Sequence, residues 1–282
     1  MPVIVVSGSE SAAGVTTVAV GLAHRLAYAG HEVHLERLAF GANAERDAAT
    51  FGSLDFAASS GSPVHAGAVP AAGGITIVDA SVSPDAASLA QQLGAMRVEV
   101  SGDEDRAGTA SVMRVMNHAR AAGPLAIPED RLLAAPTVGT LIEASRARVL
   151  ARSVEGERAI CEHVVVGAIS HDSDQPYFAR FPHKAVVTRA ERVDIALSAL
   201  RTDADCLILT GGSEPSPYLL DRVAASRRTT LLVTPEGTVE TVRDIEGMFG
   251  RSPFGGDAKI ERIGLLMASA LDDEALASLT GQ

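Results

Sequence analysis

Lysine is almost missing from this sequence. Of its 24 basic residues only two are lysines, Lys184 and Lys259, so the first two thirds of the chain carry their positive charge as arginine alone. Tryptophan is absent and aromatic residues make up 4 %. Only two cysteines occur, Cys161 and Cys206, far apart and each beside apolar residues. Such a pair supplies neither a disulfide framework nor a zinc site; both read as small core residues, and we expect a cytoplasmic protein. No apolar run reaches the roughly 18 residues of a membrane span, and the N-terminus enters a strand without the basic flank of a signal peptide. Neither membrane insertion nor secretion is therefore expected. The net charge of −11 is spread along the chain without a basic patch, which argues against nucleic acid and anionic lipid as partners.

What is present is a substantial apolar fraction, 46 % of 282 residues, enough for one large domain or two ordinary ones. Strand-like and helix-like stretches alternate. In the first half the strands are Val3–Val6, Glu32–Leu35, Ile75–Val78, Met96–Val100 and Val112–Met116, with helices over Thr16–Ala29, Pro84–Leu93 and Thr137–Leu150. Gly52–Gly67 reads as a loop. A second set of strands covers His163–Ala168, Ala185–Thr188, Cys206–Thr210 and Thr230–Val233, separated by helices Asp194–Leu200, Pro217–Ser226 and Gly237–Met248. Alternation of this kind predicts an α/β protein with a doubly wound, mainly parallel sheet, followed by a second α/β domain. The short charged stretch Arg152–Arg158 suggests a boundary, giving domains at 1–158 and 159–282, the latter with a helical tail from Asp257.

The segment VIVVSGSESAAGVTTVAVGL has the layout of a phosphate-binding loop: a strand, a glycine-rich turn from Gly8 to Gly14, then Thr16 and Thr17 opening a helix. Backbone N–H groups and the helix dipole there suit an anion. In G-x-x-x-x-G-K-[ST] a lysine follows the last glycine and reaches the β- and γ-phosphates; here that residue is Val15. The loss removes a cation that stabilises phosphoryl transfer, and no nearby lysine replaces it. Thr16 keeps the hydroxyl that would hold Mg²⁺, and Asp79, at the end of ITIVDAS, is where its acidic partner would sit. Arg37 and Asp47 follow the second strand near the same sheet edge, and Asn117 ends a strand where a base can be read.

On these residues the first half resembles the dethiobiotin synthetase-like branch of P-loop NTPases. GSESAAGVT matches that branch at Gly8, Ser9, Glu10, Ser11, Gly14 and Thr16 and departs at Val15; LAIPEDRLLAAPTVGTLIEA, 125–144, resembles the segment that closes the domain in two-domain relatives. Those relatives carry an extra helix between Asn117 and Pro124, where six residues stand here. The resemblance therefore implies a pruned, lysine-less version of the domain. The second half resembles the DRTGG domain over roughly 159–250, through VVVGAISHD, KAVVTRAERVDIALSAL, CLILTGGSEPSP and LLVTPEGTVETVRDIEGMFG. The namesake motif G-D-R-x-[DE]-I becomes Ala190-Glu191-Arg192-Val193-Asp194-Ile195, keeping Arg192 and Asp194. The pairing is similar to the regulatory region of long phosphate acetyltransferases and to phosphotransacetylase-like proteins; their catalytic domain is not expected here.

In LTGGSEPSP the strand end Thr210, Gly211, Gly212 and Ser213 precedes a helix, a setting for an anion or an adenine nucleotide. Ser216 reads as the cap of that helix, and His171 with Asp172 as a turn. The resemblance implies ligand sensing. Three readings stay open: a non-catalytic or weakly catalytic regulator that binds ATP, ADP or AMP with Mg²⁺, or a similar anionic ligand, and acts as a homo-oligomer on an unidentified partner enzyme; an ATP-dependent ligase or phosphotransferase that draws its cation from Arg37 or another subunit; and a scaffold that binds no nucleotide.

Overall fold

The computed structural model describes residues 2–69, 73–102, 112–167 and 177–281. The chain forms two compact units: residues 1–133 with 253–282, and residues 134–252.

In the first unit the elements run β1 (Val3–Gly8), α1 (Val15–Tyr28), β2 (Val33–Arg37), α2 (Ala44–Phe51), β3 (Ile75–Asp79), α3 (Ala86–Leu93), β4 (Met96–Ser101), β5 (Val112–Ala119), β6 (Ala126–Pro128) and the single turn α4 (Arg131–Ala134). The six strands form one parallel sheet in the order β2-β3-β1-β4-β5-β6. From β1 the chain crosses over β3's place to β2, and from β3 it crosses back over β1 to β4. The switch point thus falls at the C-terminal ends of β1 and β3, the place where such sheets bind ligands. Strand alternation sorts the side chains: Ile4, Val6, Ile77 and Val98 join α1 in one core, while Val5 and Val78 join Ala86 and Leu89 of α3 on the other face.

The second unit contains α5 (Val138–Ser145), β7 (Arg148–Ala151), β8 (His163–Val166), β9 (Lys184–Arg189), α6 (Val193–Arg201), β10 (Cys206–Thr210), α7 (Pro217–Ser226), β11 (Thr230–Val233) and α8 (Thr238–Glu246). Its sheet runs β7-β11-β10-β9-β8, parallel except for β7. One face packs on α6 and α7 through Ile195, Ala199, Leu219 and Val223. The other packs on α5 and α8 through Leu141 and Ile245 and holds both cysteines. Cys161 and Cys206 are buried free thiols, pushed well above the ordinary thiol range by burial. The α/β class and the core role of the cysteines are as expected.

Two expectations are corrected. Thr137–Leu150 is not one helix. Thr137 caps α5 through Thr140 N–H, at 3.3 Å, but Arg146 turns left-handed at φ 50° and ends it. The chain then enters β7, antiparallel to β11, with Val149 packed in one core and Leu150 in the other. Arginine replaces the customary glycine at this helix stop, so the end was invisible to pattern reading. Arg152–Arg158 accordingly lies within the second unit and is no boundary.

The second correction concerns the tail. Helices α9 (Asp257–Ala270) and α10 (Asp273–Thr280) belong to the first unit. Glycines make this docking close. A Cβ on Gly21 of α1 would lie 2.7 Å from Ile263 Cγ1, and one on Gly264 of α9 would lie 2.5 Å from His24 Cε1. Leu125 N–H donates to Ala270 O at 2.8 Å, so α9 flanks the short β5–β6 connection where an extra helix was expected to be missing. Asp272 caps α10 by accepting from Ala275 N–H at 2.8 Å. Among the described residues no helix is long and apolar enough to cross a membrane.

Lys259 is fully buried at the start of α9 and donates to Leu133 O at 3.0 Å; burial pushes its pKa down to about 8. The unfolded chain titrates this amine near its ordinary value of about 10.4. Between those values the unfolded state binds more protons, so stability should rise with pH, by up to about 3 kcal/mol. Urea denaturation across this range should show the rise in the natural protein and a flatter profile in Lys259→Met. Separately, Gly264→Ala should destabilise the protein by about 1–3 kcal/mol through overpacking against His24, read as a lower urea midpoint.

Candidate functional site

At the switch point the turn after β1 is held from both sides. Gly8 N–H donates to Ser81 O at 2.8 Å and Ser9 N–H to Val100 O at 3.1 Å. Glu10 reaches across to accept from Gly102 N–H at 3.2 Å. Gly14, at φ 81°, precedes α1, and a Cβ there would collide with the Asn117 amide; both its conformation and its neighbour require glycine. Asn117 is buried and donates to Ala13 O at 2.9 Å. That bond ties the turn to β5.

Val15 explains the missing lysine structurally. It is 5 % exposed and belongs to the core, and its Cγ2 fills the space where a Gly8 side chain would be. The position is committed to packing. Ser9 and Ser11 are exposed, and Thr17 is half-buried in the first turn of α1. That turn has no acidic residue and no side-chain cap, so its N–H groups retain the capacity to meet an anion.

Behind the turn lies a buried polar cluster. Thr16 Oγ1 donates to Asp79 Oδ2 at 2.8 Å, and Ser81 N–H donates to Asp79 Oδ1 at 2.8 Å. The β2–β3 register sets Arg37 opposite Asp79. Arg37 Nε donates to Asp47 Oδ2 at 3.2 Å and lies 3.5 Å from Asp79 Oδ2. Its other nitrogens donate to the carbonyls of Leu38, Asp79 and Phe40 at 2.9, 3.3 and 3.0 Å. Burial raises the pKa of both Asp47 and Asp79, against the opposing pull of Arg37. A guanidinium so engaged is not free to stand in for the lysine at the turn, one of the two cation sources on which the ligase reading draws.

In the second unit the strand ends after β9 and β10 are joined. Ala190 N–H donates to Thr210 O at 3.4 Å, and Ser213 Oγ to Glu191 Oε1 at 3.2 Å. Arg192 forms a two-pronged pair with Asp194, Nε to Oδ1 at 3.1 Å and Nη2 to Oδ2 at 2.9 Å. Gly211 and Gly212 have φ of 89° and 72°, but their N–H groups already donate to Glu236 O and Thr234 O at 2.8 and 2.9 Å. Thr210 Oγ1 lies 2.8 Å from Thr238 Oγ1. Ser216 caps α7 through Leu219 N–H at 3.3 Å, as expected. His171 and Asp172 lie outside the described residues.

The residues singled out from the sequence therefore assemble as two groups, one per unit. One residue was missed. Arg189, exposed at the end of β9 opposite Thr210, has no side-chain partner among the described residues. The neighbouring arginines Arg192, Arg146 and Arg148 are paired with Asp194, Glu236 and Glu214. The available signal was its place at a strand end immediately before the namesake motif.

The family model of the DRTGG domain matches residues 140–248. This part of the chain is similar to the DRTGG domain. The match starts inside α5, ahead of the expected 159, and so takes in β7 and the whole second sheet. Among solved structures the chain is similar to the crystal structure of the CBS and DRTGG domains of the regulatory region of Clostridium perfringens pyrophosphatase complexed with activator, diadenosine tetraphosphate. Identity is 15 % and the TM-score 0.37, covering 52 % of this chain and 70 % of that one.

Two substitutions test the turn. Asn117→Ala leaves Ala13 O without its buried donor and should cost about 1–2 kcal/mol in urea denaturation. Val15→Lys places a charge in the core: it should destabilise by about 2–4 kcal/mol, with no ATP hydrolysis gained in a phosphate-release assay.

Proposed function

We propose that this protein is a regulator without phosphoryl-transfer chemistry of its own, whose DRTGG unit takes an adenine nucleotide or a similar anionic small ligand and conveys its occupancy to a partner enzyme. The observation that carries this reading is the DRTGG match over 140–248. Its support in geometry is the sheet edge where the β9 and β10 loops are bonded to one another, with Arg189 exposed beside them and without a side-chain partner among the described residues. Arg192 is a second cation there, paired with Asp194 at the surface and able to exchange that partner for a phosphate.

The non-catalytic part of the reading rests on Val15 packed into the core and Arg37 held by buried acceptors, so that neither offers the turn a mobile cation. We read this unit as a degenerate dethiobiotin synthetase-like domain and the protein as a cytoplasmic homo-oligomer of the phosphotransacetylase-like kind. The scaffold reading has one observation in its favour: the Gly211 and Gly212 N–H groups, the natural donors for an anion at that strand end, are consumed by backbone carbonyls.

Calorimetric titration of the full chain with ATP, ADP, AMP and diadenosine tetraphosphate separates the two. Saturable binding is expected for at least one of them, weakened about tenfold or more by Arg189→Ala, the loss of one charged hydrogen bond. No heat with any of the four at millimolar concentration would leave the scaffold.

A further inference from the structure

The residues Thr16 and Asp79, which the phosphate-loop resemblance marks for Mg²⁺, do not fit that ion as they stand. Mg²⁺ demands near-octahedral oxygens at about 2.0–2.1 Å and keeps several of its waters. Here Asp79 is completely buried, Asp47 nearly so, and both Asp79 oxygens are engaged by protein donors. We infer that the Arg37 guanidinium is a built-in replacement for the divalent cation, closing this position to metal, so that any anion received at the β1–α1 turn is received metal-free.

Three observations carry this. The first is position: Nε lies 3.2 Å from Asp47 Oδ2 and 3.5 Å from Asp79 Oδ2, the oxygen that also accepts from Thr16. One cation thus sits between the two carboxylates beside the hydroxyl a metal would use. The second is fixity. The remaining nitrogens are anchored to the carbonyls of Leu38, Asp79 and Phe40, just after β2, at the end of β3 and in the loop before α2. Arg37 is 2 % exposed, so its guanidinium is enclosed by these partners. The third is charge. Arginine stays protonated even when buried, and Arg46 adds a further positive field at Asp47. A dication entering this cluster would meet a permanent cation at contact distance. Among the described residues no group of three or more His, Cys, Asp or Glu side chains is arranged to hold a metal.

The test needs no nucleotide, so it stands or falls separately from the ligand reading above. The full-length protein is titrated with MnCl₂ and followed by electron paramagnetic resonance, and its thermal unfolding is measured with and without millimolar MgCl₂. The natural protein should show no saturable Mn²⁺ binding and no shift of its unfolding midpoint. Arg37→Ala, which leaves Asp47 and Asp79 uncompensated, should bind Mn²⁺ saturably and gain several degrees in its midpoint with Mg²⁺. A folded Arg37→Ala that ignores both ions overturns the inference. If that variant does not fold, the natural protein decides the matter. Saturable Mn²⁺ binding that disappears in Asp79→Asn overturns the proposal, and absence of binding supports it.

Discussion

The guanidinium of Arg37 ties together the strand ends and the helix that meet at one corner of the first unit. It ends β2, meets Asp79 at the end of β3, bonds Asp47 on α2, and through Asp79 reaches Thr16 in the first turn of α1. Strand order makes this convergence unavoidable: with β3 between β2 and β1, the ends of all three strands and the helix that follows β1 share one corner. Two buried carboxylates in that corner need a charge partner, because an isolated buried carboxylate is expensive. Arginine satisfies them with a planar set of donors that also takes up three backbone carbonyls. The corner is therefore internally compensated, and its guanidinium is not free to meet an anion at the turn in front of it.

The second unit solves the equivalent corner differently, with hydroxyls in place of charges. Thr188 donates to Gly167 O, Thr210 to Thr188 O, and Thr234 to Ser145 O, at 3.2, 3.3 and 2.7 Å, so each parallel strand end is stitched to a neighbouring segment. Neutral hydrogen bonds consume no ionic partner, and the arginines along this edge remain at the surface. There Arg192, Arg146 and Arg148 are paired with carboxylates, and Arg189 has no side-chain partner among the described residues. An edge built from fixed backbone and exchangeable surface ion pairs is suited to receive and release an anionic ligand. The first unit's corner, with its charges buried, is suited to stay as it is.

Much of this was legible in advance. The strands Cys206–Thr210 and Thr230–Val233 and the helix Pro217–Ser226 were located to the residue, since each is bounded by strong local signals: a Thr-Gly-Gly end, a Ser-Pro start, a continuous apolar run. Both cysteines read correctly as core. The DRTGG likeness was visible through Arg192 and Asp194, although its start at 140 was not, because the arginine at 146 ends a helix in a conformation that usually selects glycine. The phosphate-loop layout was equally visible, but what its residues touch was not. Asn117 stood a hundred residues from Ala13 with nothing to announce their bond, and Val15 gave no sign of whether it faced solvent or core.

Sequence alone determined the α/β alternation, the turn positions and the likeness of the second unit to a DRTGG domain, because these follow from short-range periodicity and from residues with local conformational demands. Tertiary structure decided which unit the tail joins, that Val15 packs inward, and that Arg37 spans two carboxylates. Those depend on which faces meet across long stretches of chain, as when Gly21 and Gly264 let two helices approach, and no local pattern carries that information.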